Sequence, residues 1–240
     1  MQSAVQSIAV IALAPTGSQA FGRWVDAVIG GAVALLFATV VPRAPLRRPR
    51  RQAAQVARTL AGLVRDAARS AQDGDAERSA DVLAAARATD GLIRELQAAA
   101  DEGMSVIAAS PVERTDAPSV RTIASIVEPL DRALRSARVL VRRVSIAAYH
   151  GAPVPESYVT VLHELADAVD VLDRAWAENR SAELARPAFL RLAERTGELE
   201  PGDYHTTVLL AQLRSLVVDL LELSGMDHED AVEIVPTRRD

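Results

Sequence analysis

The sequence of 240 residues contains no cysteine and no lysine, and aromatic residues make up only 3% of it. The absence of cysteine excludes disulfides, zinc–thiolate sites, iron–sulfur clusters and cysteine nucleophiles. The absence of lysine excludes a P-loop lysine, a Schiff-base lysine and a kinase lysine. All 27 basic residues are arginine, a bias that we attribute to a GC-rich genome. With 49% hydrophobic residues, 12 Gly and 12 Pro, the composition favours helices over a β-sandwich or barrel.

The charged residues are distributed unevenly along the chain, although the net charge is only −5. Residues 1–155 carry 19 arginines and 14 acidic residues, whereas residues 156–240 carry 8 arginines and 18 acidic residues. Seven arginines lie between positions 43 and 65, before the next acidic residue, Asp66. Such a stretch is typical of proteins that bind nucleic acid or an anionic membrane, or of a solvated helix face. Because no aromatic residues are interleaved and the protein is acidic overall, we expect no nucleic-acid partner.

A hydrophobic segment precedes this basic stretch. From Ala27 to Val41 no residue is charged and only Thr39 is polar. A helix that begins near Phe21 has the roughly 20 residues that a hydrocarbon core requires. Five arginines follow its end and favour contact with anionic lipid headgroups as well as a cytoplasmic location for the rest of the chain: Arg43, Arg47, Arg48, Arg50 and Arg51. The sequence therefore predicts a membrane span at about residues 21–41, with a core helix of a soluble protein as the alternative.

The residues before this span are also apolar, but they are too few to cross a bilayer. Residues 4–14 cover about half a span, and Ser18-Gln19-Ala20 resembles a signal-peptide cleavage site. No positive residue precedes them, so we favour the end of a membrane helix whose beginning is missing. Residues 1–42 are thus predicted to form a transmembrane portion, in which Gly30 and Gly31 provide a small-residue face for helix packing.

The remainder of the chain has an almost continuous helical pattern. Residues 43–235 are predicted to form a cytoplasmic antiparallel bundle of long helices, and residues 236–240 a tail. The predicted helices cover 53–70, 76–108, 119–150 with a kink at Pro129, 156–185, a short stretch to Thr196, 204–223 and one turn at 230–235. The fold class is therefore all-α, with one membrane helix and part of another before the bundle.

Two groups of charged residues in the bundle could form a metal site or ion pairs. His163, Asp167 and Asp170 share a helical face and could bind a divalent metal, but we favour a solvated acidic face. A second arginine cluster is expected to pair with the acidic C-terminal helices: Arg135, Arg138, Arg142 and Arg143. No catalytic motif is present, so we predict no enzyme, no metal and no cofactor.

Several segments resemble a known family of transporters. The run Arg23-Trp24-Val25-Asp26-Ala27-Val28-Ile29-Gly30-Gly31, closed by Val41-Pro42 and the basic stretch, resembles the last transmembrane helix of a repeat in fusaric-acid-resistance-like permeases, relatives of the aromatic acid exporters. In that family an Arg, an Asp three residues later and a Gly four residues after that open this helix, as Arg23, Asp26 and Gly30 do. Segments 129–133 and 208–221 resemble the cytoplasmic region of bacterial members.

The resemblance implies the C-terminal part of an inner-membrane permease that exports aromatic carboxylates or related toxic molecules. Asp26 would bind the coupling proton and Arg23 the carboxylate; alternatively the two form an interfacial pair that fixes helix depth. Because family members carry several earlier membrane helices, we expect either that these are missing here or that the chain forms a homo-oligomer. The alternative function is a membrane-tethered helical interaction or regulatory module without transport activity.

Overall fold

A computed structural model describes residues 25–33, 44–74, 76–109, 117–152 and 154–236. In these residues the chain is helical and contains no strand, which confirms the all-α class. The chain divides into two compact units, Met1–Ala44 and Pro45–Asp240. Each unit is described by itself below.

In the first unit, residues 25–33 form a helix. All nine of them are exposed, including the apolar side chains of Val25, Val28, Ile29 and Val33. The other residues of the predicted transmembrane portion, including the partial helix at 4–14, lie outside the described residues. Among the described residues, no helix is both long enough and apolar enough to span a membrane. The span at 21–41 therefore stays a prediction.

The second unit, together with Ala44, contains eight α-helices and one 3₁₀ turn within the described residues. We number the helices in chain order: α1 Ala44–Asp73, α2 Ala76–Ala88, α3 Asp90–Ala109, α4 Ala117–Tyr149, α5 Glu156–Ala177, α6 Arg186–Glu198, α7 Tyr204–Leu223 and α8 His228–Ile234. The 3₁₀ turn, Ala182–Ala185, lies between α5 and α6.

The apolar faces predicted from the helical period form the core of this unit. On α1 they are Val56, Leu60, Leu63 and Val64, each at most 5% exposed. On α5 they are Val161, Leu162, Leu165, Val169 and Leu172, each at most 1% exposed. The core also contains many alanines, for example Ala57 and Ala61 on α1, and such small side chains let neighbouring helices approach closely.

The predicted second helix is in fact two helices, α2 and α3, that meet at Thr89. The buried Thr89 hydroxyl donates to the carbonyl of Ala86 at 2.7 Å, and the backbone N–H of Leu92 donates to the carbonyl of Thr89 at 3.0 Å. A threonine hydroxyl that bonds its own backbone competes with the helical hydrogen bonds. The prediction of one continuous helix over 76–108 was therefore wrong, and the break lies two residues before Gly91.

The α5 helix ends at Ala177, eight residues before the predicted end. Asn179 has a left-handed backbone, with φ of 63°, and the N–H of Arg180 donates to the carbonyl of Ala175 at 2.7 Å. This closure is the usual way in which a left-handed residue ends a helix. Asparagine tolerates that conformation better than most residues, and this signal was overlooked in the sequence.

Helix α4 lies against α2, α3 and α7, while α6 packs against both α5 and α7. Helices α1 and α5 run antiparallel, because Arg58 contacts Asp173 whereas Arg65, seven residues later, contacts the earlier residues Asp167 and Asp170. Antiparallel packing of this pair agrees with the predicted bundle.

Candidate functional site

The residues predicted to act in transport lie mostly at the margin of the described structure. Arg23 lies outside the described residues, and Asp26 is exposed in the helix at 25–33. A Cβ atom added to Gly30 or Gly31 would meet no atom within 4 Å. The proton-coupling pair and the helix-packing role of the two glycines therefore stay predictions.

The five predicted lipid-contacting arginines lie at the beginning of α1. Arg43 is outside the described residues, and for Arg47 and Arg48 only the backbone, which is helical, is described. Arg50 is half-buried and Arg51 is exposed. Among the described residues, no acidic side chain forms an ion pair with Arg50 or Arg51.

Ion pairs join α1 to α5 along one side of the bundle. The Arg58 guanidinium holds Asp173 through two hydrogen bonds, from Nε at 3.0 Å and Nη2 at 3.2 Å. Arg65 donates to Asp167 at 3.0 Å and to Asp170 at 2.6 Å. These hydrogen bonds raise the pKa of both arginines above the ordinary value. We call these two arginines and three aspartates the α1–α5 ion-pair seam.

This seam accounts for the acidic face that the sequence offered as a metal site. Asp167 and Asp170 bind Arg65, so their oxygens already accept hydrogen bonds from a cation. Within the described part of the chain, no three metal-ligating side chains are grouped closely enough to hold an ion. Sequence spacing identified the shared face, but it could not identify Arg65 as its partner, because that residue lies about 100 positions earlier.

A second polar cluster joins α4, α7 and α8 around a buried carboxylate. Asp219 is 8% exposed and accepts a hydrogen bond of 2.7 Å from the Ser136 hydroxyl. Arg132 binds Glu222 and lies 3.7 Å from Asp219, and His228 Nδ1 lies 2.6 Å from Glu222. Burial raises the pKa of Asp219. We call this group the Asp219 cluster.

The expected partners of the second arginine cluster were wrong for two of its members. Arg135 pairs with Asp131 on its own helix, and Arg138 pairs with Asp90 on α3. Arg142 and Arg143 form no ion pair with a described residue. It is Arg132 that reaches the acidic C-terminal helices. The net negative charge of the C-terminal helices indicated that they need arginine partners. Which arginines of α4 reach α7 depends on the packing of α4 against its neighbours.

Tyr158 and Arg214 use buried polar groups to fasten the loop between α6 and α7. The Tyr158 hydroxyl donates to the carbonyl of Glu200 at 2.9 Å, and Arg214 Nη2 donates to the carbonyl of Thr196 at 3.1 Å. Burial raises the pKa of Tyr158 and lowers that of Arg214. Arg214 Nε is buried without a hydrogen-bond partner among the described residues. Because both carbonyls lie at the end of α6 or just beyond it, we assign these groups a structural role.

A cavity of about 440 Å³ lies at the end of the bundle where α1 begins. Four helices and the 3₁₀ turn supply its walls: Arg50 and Ala53 of α1; Ser125, Ile126 and Pro129 of α4; Trp176 of α5; Asn179 to Glu183; and Glu222 to Gly225 at the end of α7. Its lining thus combines an indole, aliphatic groups, hydroxyls and charges of both signs. We call it the α1-end cavity.

One wall of the α1-end cavity is fixed by a contact that requires glycine. Arg186 donates through Nη2 to the carbonyl of Ser224, and the following residue, Gly225, has φ of 83°. A Cβ atom at Gly225 would lie 3.3 Å from that same Nη2. A side chain at position 225 would therefore suffer both backbone strain and crowding.

A second depression, of about 460 Å³, lies between α5 and α6. Ala168 and Leu192 contribute to its apolar lining, and Arg195 crosses it to bind Glu164 at 3.2 Å. Arg174 and Arg191 lie exposed at its rim. Because its central charges are paired with each other, this groove offers less to a ligand than the α1-end cavity.

Comparison with known proteins identifies a relative but no function. The chain is 32% identical over 246 aligned positions to an uncharacterized protein of Corynebacterium glutamicum, and the alignment covers 98% of this chain and 63% of the relative. The chain thus spans less than two thirds of the length of that relative. No protein-family model matches the chain, and no solved structure matches it.

Proposed function

We propose that the chain is the C-terminal part of an integral membrane permease, which exports aromatic carboxylates or related toxic small molecules. The observation that carries the membrane part of the proposal is the exposed helix at 25–33. In nine residues it presents four large apolar side chains, which are between 40% and 56% exposed. Contiguous exposed apolar surface marks a site that contacts a membrane or another protein.

The neighbouring sequence favours lipid as the covering partner. The uncharged run continues beyond the described helix to Val41, and arginines follow at once. Each arginine close to an anionic leaflet contributes about 1 kcal/mol of attraction. An apolar run followed by a cationic flank is the arrangement that places a helix across a bilayer with its flank in the cytoplasm. In this proposal the second unit is the cytoplasmic domain of an inner-membrane protein.

The transport part of the proposal depends on Arg23 and Asp26. An ionisable pair near the end of a membrane helix is costly unless it serves a ligand, an ion pathway or a partner. Together with the resemblance to fusaric-acid-resistance-like permeases, this pair supports a role in binding a carboxylate and a proton.

Two experiments test the parts of this proposal separately. The first separates membranes from supernatant after lysis without detergent, and we expect the full chain in the membrane fraction; recovery in the supernatant would refute membrane attachment. The second compares efflux of an aromatic carboxylate in cells that express the complete gene with Asp26→Asn or with Asp66→Asn. We expect the first variant to lose efflux and the second, which changes an exposed carboxylate on α1, to keep it.

A membrane-tethered helical interaction module is the second candidate, and the closure of the bundle favours it. The core of the second unit is supplied by its own helices, and its ion pairs link those helices to one another. Such a domain does not need further spans to complete its core. The genomic sequence upstream of Met1 discriminates the two functions: in-frame codons for several hydrophobic spans favour the permease, whereas a stop codon beside a ribosome-binding site favours the tethered module.

A further inference from the structure

We propose that the α1-end cavity binds a zwitterionic α-amino acid with a large apolar side chain, through Arg50, Glu183 and the indole N–H of Trp176. At about 440 Å³, the cavity falls within the range of about 300–1,000 Å³ that is typical of small-ligand sites. Its lining residues all belong to the second unit. The inference therefore concerns that unit alone and depends neither on membrane attachment nor on transport.

The indole N–H of Trp176 is a hydrogen-bond donor without a partner. Trp176 lines the cavity and is 7% exposed, and its N–H donates to no acceptor among the described residues. The nitrogen is not sealed in the core either, since Arg214 Nε is the only fully enclosed polar atom of a described side chain that lacks a partner. The N–H is thus accessible to a ligand in the cavity, and an acceptor bound there gains a hydrogen bond that the protein leaves unmade.

The charged groups of the lining are balanced, with two arginines and two glutamates. One group of each sign is already paired. Glu222 accepts from Arg132 and lies 2.6 Å from His228 Nδ1, while Arg180 pairs with Glu178 at 3.5 Å. These two groups therefore require no ligand.

The other two charged groups of the lining are Arg50 and Glu183. Neither forms an ion pair with a described side chain, and they do not pair with each other. Arg50 is half-buried on α1, whereas Glu183 is exposed on the 3₁₀ turn. A ligand that carries one charge of each sign matches this pair, because each of its charges gains a partner when it leaves water. A balanced lining thus favours a zwitterion over an anion or a cation.

An α-amino acid combines the required groups in a small molecule. Its carboxylate can accept from Arg50, whose planar guanidinium binds two oxygens at once, and from the Trp176 N–H. Its ammonium can donate to Glu183. The aliphatic lining, which includes Ile126 and Leu223, offers a surface on which an apolar side chain is removed from water.

The wall that carries Glu183 is held by hydrogen bonds within the protein. Ser181 Oγ accepts from the backbone N–H of Glu183 at 3.3 Å, and the N–H of Arg180 donates to the carbonyl of Ala175 at 2.7 Å. A wall that is fixed in this way lowers the cost of ordering the site around a small ligand.

Trp176 also provides the reporter for a direct test. The chain contains two tryptophans, so Trp24→Phe leaves the emission of Trp176 alone. The full chain with this change is kept in a neutral maltoside detergent at neutral pH and titrated with L-leucine, glycine, N-acetyl-L-leucine or L-leucinamide. Relative to L-leucine, the other three ligands lack the side chain, the ammonium and the carboxylate, in that order. We expect a saturable change in emission with L-leucine and binding at least about tenfold weaker with each of the others.

Two single variants assign the charged contacts. We expect Arg50→Gln to weaken binding of L-leucine about tenfold or more, but to change binding of L-leucinamide, which has no carboxylate, less than about threefold. Glu183→Gln should act in the same way on L-leucine and N-acetyl-L-leucine. The control is Arg51→Gln with Glu194→Gln, which removes one exposed charge of each sign outside the cavity and should change every affinity less than about threefold. Unfolding curves from circular dichroism verify that the variants fold.

Each contrary result has a definite meaning. No saturable response to L-leucine, or equal affinity for all four ligands, would overturn the site. Binding of N-acetyl-L-leucine as tight as that of L-leucine would overturn the zwitterion in favour of a simple carboxylate. Equal losses in the single variants and in the control would show general attraction between charges instead of a built site. The proposed membrane attachment is decided by fractionation, so a chain that binds L-leucine but stays in the supernatant refutes only that attachment.

Discussion

The helix at 25–33 and the bundle of the second unit use similar side chains in opposite ways. In the helix, Val28 and Ile29 are more than half exposed. In the bundle, Val169 and Leu165 on α5 are completely buried. Both stretches are helical, so the backbone does not distinguish them. The difference lies in exposure: the apolar side chains of the bundle form its own core, whereas those of the described helix are exposed.

Charged residues show the same contrast. Around the bundle core, arginines bind aspartates from other helices. Arg58 and Arg65 of α1, for example, bind aspartates of α5. In the run from Ala27 to Val41 there is no charged residue at all. A helix that packs on one side needs a polar opposite face, whereas a helix surrounded by lipid does not. The distribution of charge therefore distinguishes the two regions better than their content of apolar residues does.

The largest expected effect follows from placing charges in the exposed helix. We expect Ile29→Asp with Val33→Asp to release the chain from membranes, because each charge near the centre of a span costs about 2.5–3.5 kcal/mol. The measurement is the distribution of the chain between membrane and supernatant fractions. Val232→Asp with Ile234→Asp, at similarly exposed positions on α8, is the control and should leave the distribution unchanged. Equal release by both pairs would remove the distinction between the two regions.

The next effect concerns the bundle alone. Leu165 is completely buried on α5, and we expect Leu165→Ala to lower the free energy of unfolding by about 2–5 kcal/mol through lost contacts and a residual cavity. Val139→Ala removes apolar volume from a side chain that is 39% exposed, and it should cost less than about 1 kcal/mol. Chemical denaturation followed by circular dichroism measures both. A small loss for Leu165→Ala would mean that the core of this unit is loosely packed.

The sequence allowed the helical class and the buried faces of α1 and α5 to be predicted because a 3.6-residue apolar period is a local signal. The break at Thr89 and the end of α5 were not placed, since each depends on a single residue: the Thr89 hydroxyl, which bonds its own backbone, and Asn179, whose left-handed backbone is a weak signal that was overlooked. The resulting errors are at element boundaries, while the apolar faces themselves are buried as predicted.

The candidate site was harder to predict from the sequence than the fold was. Arg50 was expected to contact lipid, but Arg180 and Trp176 were not connected with it, because they are more than 120 residues away in the chain. The predicted partner of Arg138 was wrong for a similar reason. Its actual partner, Asp90, lies on α3, and only the packing of α3 against α4 brings the two side chains together. Contacts between distant helices follow from tertiary packing, which a single sequence does not reveal by its period.

A smaller effect is expected in the α1–α5 ion-pair seam. Asp173 is 8% exposed and accepts two hydrogen bonds from Arg58. We expect Asp173→Ala to lower the free energy of unfolding by about 1–3 kcal/mol, because the partly desolvated pair loses its acceptor. Asp66→Ala breaks an exposed pair with Arg69 within one helix and should cost at most about 0.5 kcal/mol. If Asp173→Ala and Asp66→Ala lower the free energy of unfolding by the same amount, at low as well as at high salt, then burial does not strengthen the ion pairs of the seam.

The smallest expected effect is a pH dependence of stability that arises from Asp219, and the structure predicts its direction. Because burial raises its pKa in the folded state, the fold binds the proton more tightly than the unfolded chain does. This contribution to stability is complete below the unfolded pKa of about 3.9 and is lost as the pH rises through the raised value. We therefore expect the unfolding free energy of the wild type, relative to Asp219→Asn, to fall as the pH rises from about 4.

The amide in Asp219→Asn keeps the shape of the side chain and an acceptor for the Ser136 hydroxyl, so the comparison isolates the titration. Ser136→Ala is the matched control, since it removes the hydroxyl that donates to Asp219 at 2.7 Å. Without this donor the charged carboxylate is less well stabilised, and the decline with pH should become steeper or extend to higher pH. Denaturation curves at a series of pH values measure both differences. A wild-type advantage that grows with pH would show that Arg132 outweighs burial, and that the Asp219 cluster behaves like the exposed ion pairs on α1.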